Sequence, residues 1–403
     1  MTGPVASPIP PVERIVSLDL LRGVAVLGIL VMNIQHFSMP PAAYINPTAY
    51  GDLSGLNKWV WILSHILASE KFLSVFSMLF GAGVLLFTER AGIKGFNSAA
   101  LHYRRMGWLL LFGLIHGYLL WSGDILVNYS LCGMLVYLFR NKRPATLIRI
   151  ALSFFLVPLL LGLLFTWSGP GWPVEIVQDN LENWQPGAGS IGHYLEVYRE
   201  GWLEQMELRV PGTIYIETGY FLMQTFWRVM AMMLLGMALF KWQVLSGGLS
   251  SGFYLKMAII GLATGYLLSG LGVYLNFRHG WNPEFSRYQG TQFNYIGSVA
   301  VALGYTALVM LLARSAGGVR IKRVLSSVGR MALSNYILMT LLCTFLFYGT
   351  GLALYGSVER KLQVIFVLGI WILLMIVSTL WLKRFRFGPL EKIWRVLTYW
   401  NRR

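Results

Sequence analysis

The chain has 403 residues, 56% of them hydrophobic and 12% charged, with a mean hydropathy of +0.58. This balance excludes a soluble globular domain and points to an all-α polytopic membrane protein. A net charge of +16 and a pI near 9.9 do not imply nucleic acid, because the basic residues are spread over short loops and a tail beside helix ends, where anionic lipid is the simpler partner.

A helix needs roughly 20 apolar residues to cross a bilayer. Ten such spans are predicted, at 15–37, 60–87, 106–121, 125–140, 145–167, 219–240, 254–275, 292–313, 331–348 and 362–382, in one membrane domain over 1–403. The leading MTGPVASPIPPVERI has no basic n-region and no small-residue cleavage site follows it, so the first span is expected to be a retained helix. The third and fourth spans share the turn Trp121-Ser122-Gly123-Asp124 and read as two crossings rather than a re-entrant hairpin. Basic residues cluster after alternate spans, at 90–105, 140–149, 241–256, 314–330 and 383–403. That pattern predicts both termini on the cytoplasmic side.

The long hydrophilic stretch at 168–218 is acidic, which suits an extracytoplasmic loop. Tyr194, Leu195, Tyr198, Trp202, Leu203 and Met206 recur at helical spacing, predicting an amphipathic helix over about 191–208 on the outer surface, either a lid or a packed loop.

Ionisable residues inside apolar windows need a partner or a purpose. Asp19 and Arg22 sit at i and i+3, so they share a face and form either a structural ion pair or a phosphate-binding site for a coenzyme A thioester at the cytoplasmic end. His116 lies toward the outside and suits a general base, with Asp124 eight residues on, able to fold back and orient the ring. The plainer alternative is a packing histidine beside a helix-capping aspartate. His36 and His65 fall near helix ends, where solvated interfacial roles are the default, and His36 is kept as a substrate contact. Lys71 calls for a buried carboxylate or a substrate, and Arg228 is expected to meet Asp124, Glu70 or an anionic substrate. Asn294 and Asn335 read as interhelical hydrogen-bond glue, with Asn335 a further candidate substrate contact. There is no Walker A loop, Rossmann glycine pattern, HExxH or Cys/His cluster, and Cys132 and Cys343 read as buried small hydrophobes, so no metal is expected.

The blocks RIVSLDLLRGVAVLGILVMNI (14–34), KFLSVFSMLFGAGVLLF (71–87), GLIHGYLLWSGDIL (113–126), GRMALSNYILMTLLCTFLFY (329–348) and FRFGPLEKIWRVLTYW (385–400) resemble, in order, the YeiB-type bacterial inner-membrane proteins, the family of domain of unknown function 418. That family is distantly similar to transmembrane acyltransferases. In the heparan-glucosaminide N-acetyltransferase type, an LRG-like motif is followed by a functional asparagine ten residues after its glycine, and here Asn33 stands at that interval from Gly23. Their catalytic histidine has no aligned counterpart in this chain.

The resemblance implies an acyl-CoA donor, acetyl-CoA foremost, entering from the cytoplasm past Arg22. His116 and Asp124 would then deprotonate an extracytoplasmic hydroxyl or amine while Asn33 or Arg228 stabilises the oxyanion. The alternative is a transporter or lipid or solute carrier in which the same residues bind substrate or relay protons. Expected partners are membrane lipids, a small-molecule, glycan or lipid acceptor and, in a homodimer, a second copy of the chain. The expected location is the bacterial inner membrane.

Overall fold

A computed structural model describes residues 15–400, so the leading segment and the last three residues of the tail lie outside the described residues. All regular elements among them are helices. In chain order these are α1 (Val16–Ser38), α2 (Ala42–Ile45), α3 (Gly55–Leu67), α4 (Lys71–Ile93), α5 (Ser98–Leu119), α6 (Leu126–Val136), α7 (Pro144–Ser168), α8 (Val174–Trp184) and α9 (Ala188–Arg199). There follow α10 (Met206–Tyr215), α11 (Phe226–Lys241), α12 (Ser251–Arg278), α13 (Pro283–Phe285), α14 (Thr291–Arg314), α15 (Val319–Arg330), α16 (Ala332–Phe347), α17 (Arg360–Arg384) and α18 (Pro389–Tyr399).

Each of the ten apolar windows falls on helix, but the spans are not uniform. Among the described residues seven helical stretches are long and apolar enough to cross a membrane, and α15 with α16 makes an eighth only as a pair bent by 82°. The other two windows are α5, whose first turns carry His102, Arg104 and Arg105, and α6, which a short 3₁₀ turn extends only to Phe139. The second window is interrupted at Ala68–Glu70, where Glu70 takes a left-handed φ of 67°.

The outer region also departs from expectation. The helix expected over 191–208 is two helices, because the chain turns at 200–205 between α9 and α10. The sixth span starts at Met206, well before the apolar window, and runs to Lys241 through a π-helical stretch, Ile216–Thr225. Glu207, Arg209 and Glu217 mask that start in a hydropathy reading, and Arg209 and Glu217 are satisfied or enclosed by neighbouring helices.

Contacts join the turns into two ends. Arg104 donates to Trp400 O, Lys241 to Arg140 O and Lys142 O, Arg314 to Gly247 O and Arg330 to Arg386 O, which gathers the basic segments at one end of the bundle. At the other end Arg360, with no exposed surface, donates to the carbonyls of Pro47, Tyr50 and Asp52, while Arg199 reaches Tyr355 O and Arg287 reaches Asn180 O.

Helix crossings rest on small residues. A Cβ on Gly81 would lie 2.0 Å from Met233 O, and one on Gly236 would lie 2.0 Å from Met78 O, so α4 and α11 meet backbone to backbone from both sides. Gly23 and Gly329 do the same for α1 and α15, at 1.9 Å from Leu325 O and Asp19 O. In hydrocarbon, where apolar burial drives no helix association, such close packing is what holds helices together. Gly81→Ala is therefore expected to destabilise the protein by about 2 kcal/mol through overpacking. Gly92→Ala, at an open site on the same helix, should be neutral or stabilising by up to about 1 kcal/mol; thermal unfolding of the two variants in detergent checks the contrast.

Candidate functional site

Two polar clusters lie inside the bundle. The first is built on the α5–α6 hairpin. His116 sits in the last turn of α5 and Asp124 just before α6, and the intervening turn folds the carboxylate back so that His116 Nδ1 lies 2.7 Å from Asp124 Oδ1. Both residues are at most 2% exposed. Asp124 Oδ2 also accepts from the Val127 amide at 2.8 Å, so the residue caps α6 and orients the imidazole at once. The other ring nitrogen, Nε2, lies 3.0 Å from Thr340 Oγ1 on α16. Tyr336, one turn earlier on α16, packs its ring 4.9 Å from that of His116.

The hairpin turn lies largely below the molecular surface and is covered by the outer helices. Arg209 and Trp202 both donate to Leu119 O, and Thr213 donates to Gly117 O, satisfying the last carbonyls of α5. Tyr198 stacks on Tyr355 and lies 4.9 Å from Tyr348, closing the outer layer. Glu217, on the π-helical stretch, brings a buried carboxylate oxygen with no hydrogen-bond partner against Gly117.

A cavity of about 220 Å³ opens from the basic end toward this hairpin. Arg22, Arg105 and Arg330 line its mouth with His102, Glu391 and Trp394. Arg22 pairs with Asp19 at 3.0 Å, Arg105 lies over the Trp394 ring at 4.3 Å, and the buried Nε of Arg330 has no hydrogen-bond partner. Further in, the walls are apolar, with Val26, Ile29, Phe76 and Leu109, and the deep end meets Ile125, next to Asp124, and Tyr336. His116 lies eleven residues, or about 16 Å of helix, beyond Arg105 on α5. Glu391 reaches the mouth from α18: its carboxylate accepts from the Leu333 and Ser334 amides and the Ser334 hydroxyl, capping α16 at its uncovered end.

The second cluster is separate. Arg228 Nε lies 2.9 Å from Glu70 Oε2, as an ion pair without hydrogen-bond alignment, and its Nη atoms donate to Ser74, Ser298 and Tyr295 O. Lys71, fully buried, donates to His65 O and to Asn294, which also binds Ser269. Of the partners expected for Arg228, Glu70 is the one present. Asn335 holds α16 to α17 through Ser378 at 2.8 Å and also donates to Val328 O, as glue. His36 packs against Trp121 and Tyr44, at 5.2 and 5.6 Å between rings. Asn33, one turn inside it, is half-buried and has no side-chain hydrogen-bond partner among the described residues. His36 thus approaches the first cluster through Trp121, which also meets the His116 ring, whereas Arg228 and Lys71 belong to the second. Among the described residues no group of His, Cys, Asp and Glu is placed to hold a metal.

Sequence reasoning missed Thr340, Tyr336 and Glu217, together with the convergence of Arg105 and Arg330 on Arg22. A threonine or tyrosine in an apolar span carries no cost signal, and only tertiary packing brings arginines from α1, α5 and α15 to one mouth.

The sequence family described as Protein of unknown function (DUF418) matches residues 239–401. The uncharacterized protein YeiB of Escherichia coli strain K12 is 32% identical over 392 residues, covering 96% of each chain. The chain belongs to this family. The uncharacterized protein YxaH of Bacillus subtilis strain 168 is also 32% identical, covering 96% of this chain and 94% of that one. An uncharacterized 39.9 kDa protein from the amylase 3' region of Bacillus acidopullulyticus is 28% identical over 400 residues. No solved structure matches the chain. The relatives are bacterial, and this DUF418 chain is a multi-pass membrane protein.

Removing one member of a buried, bonded pair strands the other. Asp124→Ala is expected to cost about 3 kcal/mol or more. In a double-mutant cycle with His116→Ala the two losses should fall short of additivity by about 1–3 kcal/mol, read from thermal unfolding of the four proteins; additive losses would mean that the pair is not coupled.

Proposed function

We propose that the protein is a membrane acyltransferase that takes an acyl group, acetyl foremost, from acyl-CoA at the cytoplasmic side and passes it to a hydroxyl or amine acceptor from the other side of a bacterial cytoplasmic membrane. The observation that carries this reading is the cavity, with three guanidiniums at its mouth, apolar walls along its length and its deep end against the His116–Asp124 hairpin. Guanidinium forks match phosphate oxygens, so Arg22, Arg105 and Arg330 suit the phosphates of a coenzyme A, and the narrow apolar passage suits its pantetheine arm.

His116 is the general base in this scheme. Asp124 holds the Nδ1 proton, leaving Nε2 free to take a proton from an attacking hydroxyl or amine, and stabilises the imidazolium that forms. Asn33, an amide without a partner in the outer half of α1, is the donor assigned to the oxyanion. Arg228 is not, because Glu70, Ser74 and Ser298 already engage its guanidinium. The same engagement argues against a carrier, which needs its charges to face a passage.

Isothermal titration of the purified protein with acetyl-CoA tests the donor. Arg105→Ala and Arg330→Ala should each weaken binding roughly tenfold, equivalent to about 1.4 kcal/mol, while His116→Ala should leave affinity within about twofold and abolish transfer to an acceptor in a membrane glycan or lipid extract. Absence of acetyl-CoA binding by the unaltered protein would sink the reading.

A further inference from the structure

The hydrogen-bonded pair does not end at His116. From the distances we infer that Thr340 is the nucleophile of a Thr340–His116–Asp124 triad and carries the acyl group as an ester between donor and acceptor. This rests on the acyltransfer reading above. Thr340 Oγ1 is 3.0 Å from Nε2, and Nδ1 is 2.7 Å from Asp124 Oδ1, the hydroxyl–imidazole–carboxylate order that activates a serine in unrelated hydrolases. All three residues are at most 2% exposed, which removes the water that would compete as acceptor.

The hydroxyl is also set apart from the other threonines. Threonines in helices commonly return their proton to the carbonyl four residues back. Among the described residues nine others do so at 2.6 to 3.1 Å, including Thr213, Thr306, Thr344 and Thr379. At Thr340 the corresponding distance, to Tyr336 O, is 3.2 Å, the longest of the set, and its oxygen sits closer to the imidazole. When His116 is neutral the hydroxyl donates to Nε2, and when the ring is protonated it can donate to Tyr336 O instead, so a partner exists in both states.

The placement fits the donor path. Tyr336 lines the deep end of the cavity, and Thr340 follows it by one turn on the same face of α16. In the first half-reaction Thr340 Oγ1 attacks the thioester carbonyl, its proton passes to His116 Nε2, the C–S bond breaks and the thiolate leaves with that proton. In the second the acceptor hydroxyl attacks the threonyl ester, His116 takes its proton and returns it to Thr340 Oγ1 as the C–O bond breaks. Coenzyme A and acylated acceptor are the only net products.

Full-length protein incubated with acetyl-CoA and no acceptor, then quenched in acid, should gain the mass of one acetyl group on the peptide bearing Thr340. A burst of free thiol equal to the enzyme concentration should accompany it. Thr340→Val and His116→Ala should lose both signals and turn over roughly a thousandfold more slowly, whereas Thr340→Ser should keep them. Retained acetyl-CoA affinity in Thr340→Val shows that the site is folded; should that variant unfold, the adduct on the unaltered protein and on Thr340→Ser decides. Acylated acceptor formed without an adduct, by a Thr340→Val variant within about twofold of the normal rate, would overturn the triad and leave direct transfer by His116. A protein that binds no acetyl-CoA and releases no thiol would instead overturn the acyltransfer reading, and this inference with it.

Discussion

Backbone groups in a bilayer cannot fall back on water, and every helix end placed at depth must be satisfied by protein. This chain breaks several helices inside the bundle, and its buried charges stand at the breaks. Arg209, Trp202 and Thr213 occupy the last carbonyls of α5, Asp124 the Val127 amide in the first turn of α6 and Glu391 the Leu333 and Ser334 amides of α16. Glu70 and Lys71 stand where α3 gives way to α4, and Arg228 and Asn294 hold them there. Residues that look like anomalies of cost in a hydropathy profile are thus the means by which irregular backbone is kept at membrane depth, and that backbone is what brings His116 against α16.

The two clusters divide this work between them. The second couples α4, α11 and α14 through the Glu70 ion pair and the hydrogen bonds of the Arg228 Nη atoms, although Arg228 Nε lacks an aligned partner, and it lies on the same helix pair as the Gly81–Gly236 crossing, where the backbones already touch. The first is less complete: Arg330 Nε and a Glu217 oxygen are buried without partners, and Asn33 is half-buried without one. A cluster whose charges engage one another gives rigidity, and unsatisfied groups beside a cavity leave capacity for a ligand.

Much of this was legible from one sequence. The apolar windows, the alternation of basic turns and the pairings of Asp19 with Arg22 and His116 with Asp124 are local, lying within eight residues, and helical periodicity reports local facts. The early start of the sixth span was not legible, because buried Arg209 and half-buried Glu217 depress hydropathy there, nor was the turn that splits the helix expected over 191–208. The mouth of the cavity draws on residues hundreds of positions apart, and Thr340 is the kind of residue that apolar spans tolerate without comment. In both cases the information lies in which helices meet, and a single chain does not display it.

The cap on α16 has a consequence for how the molecule comes together. The helix that carries Tyr336 and Thr340 begins at Ala332, but the carboxylate that caps it belongs to Glu391 on α18, beyond the whole of α17. Until α18 docks, the first amides of α16 lack that partner, so the docking of one short helix locks a wall of the cavity.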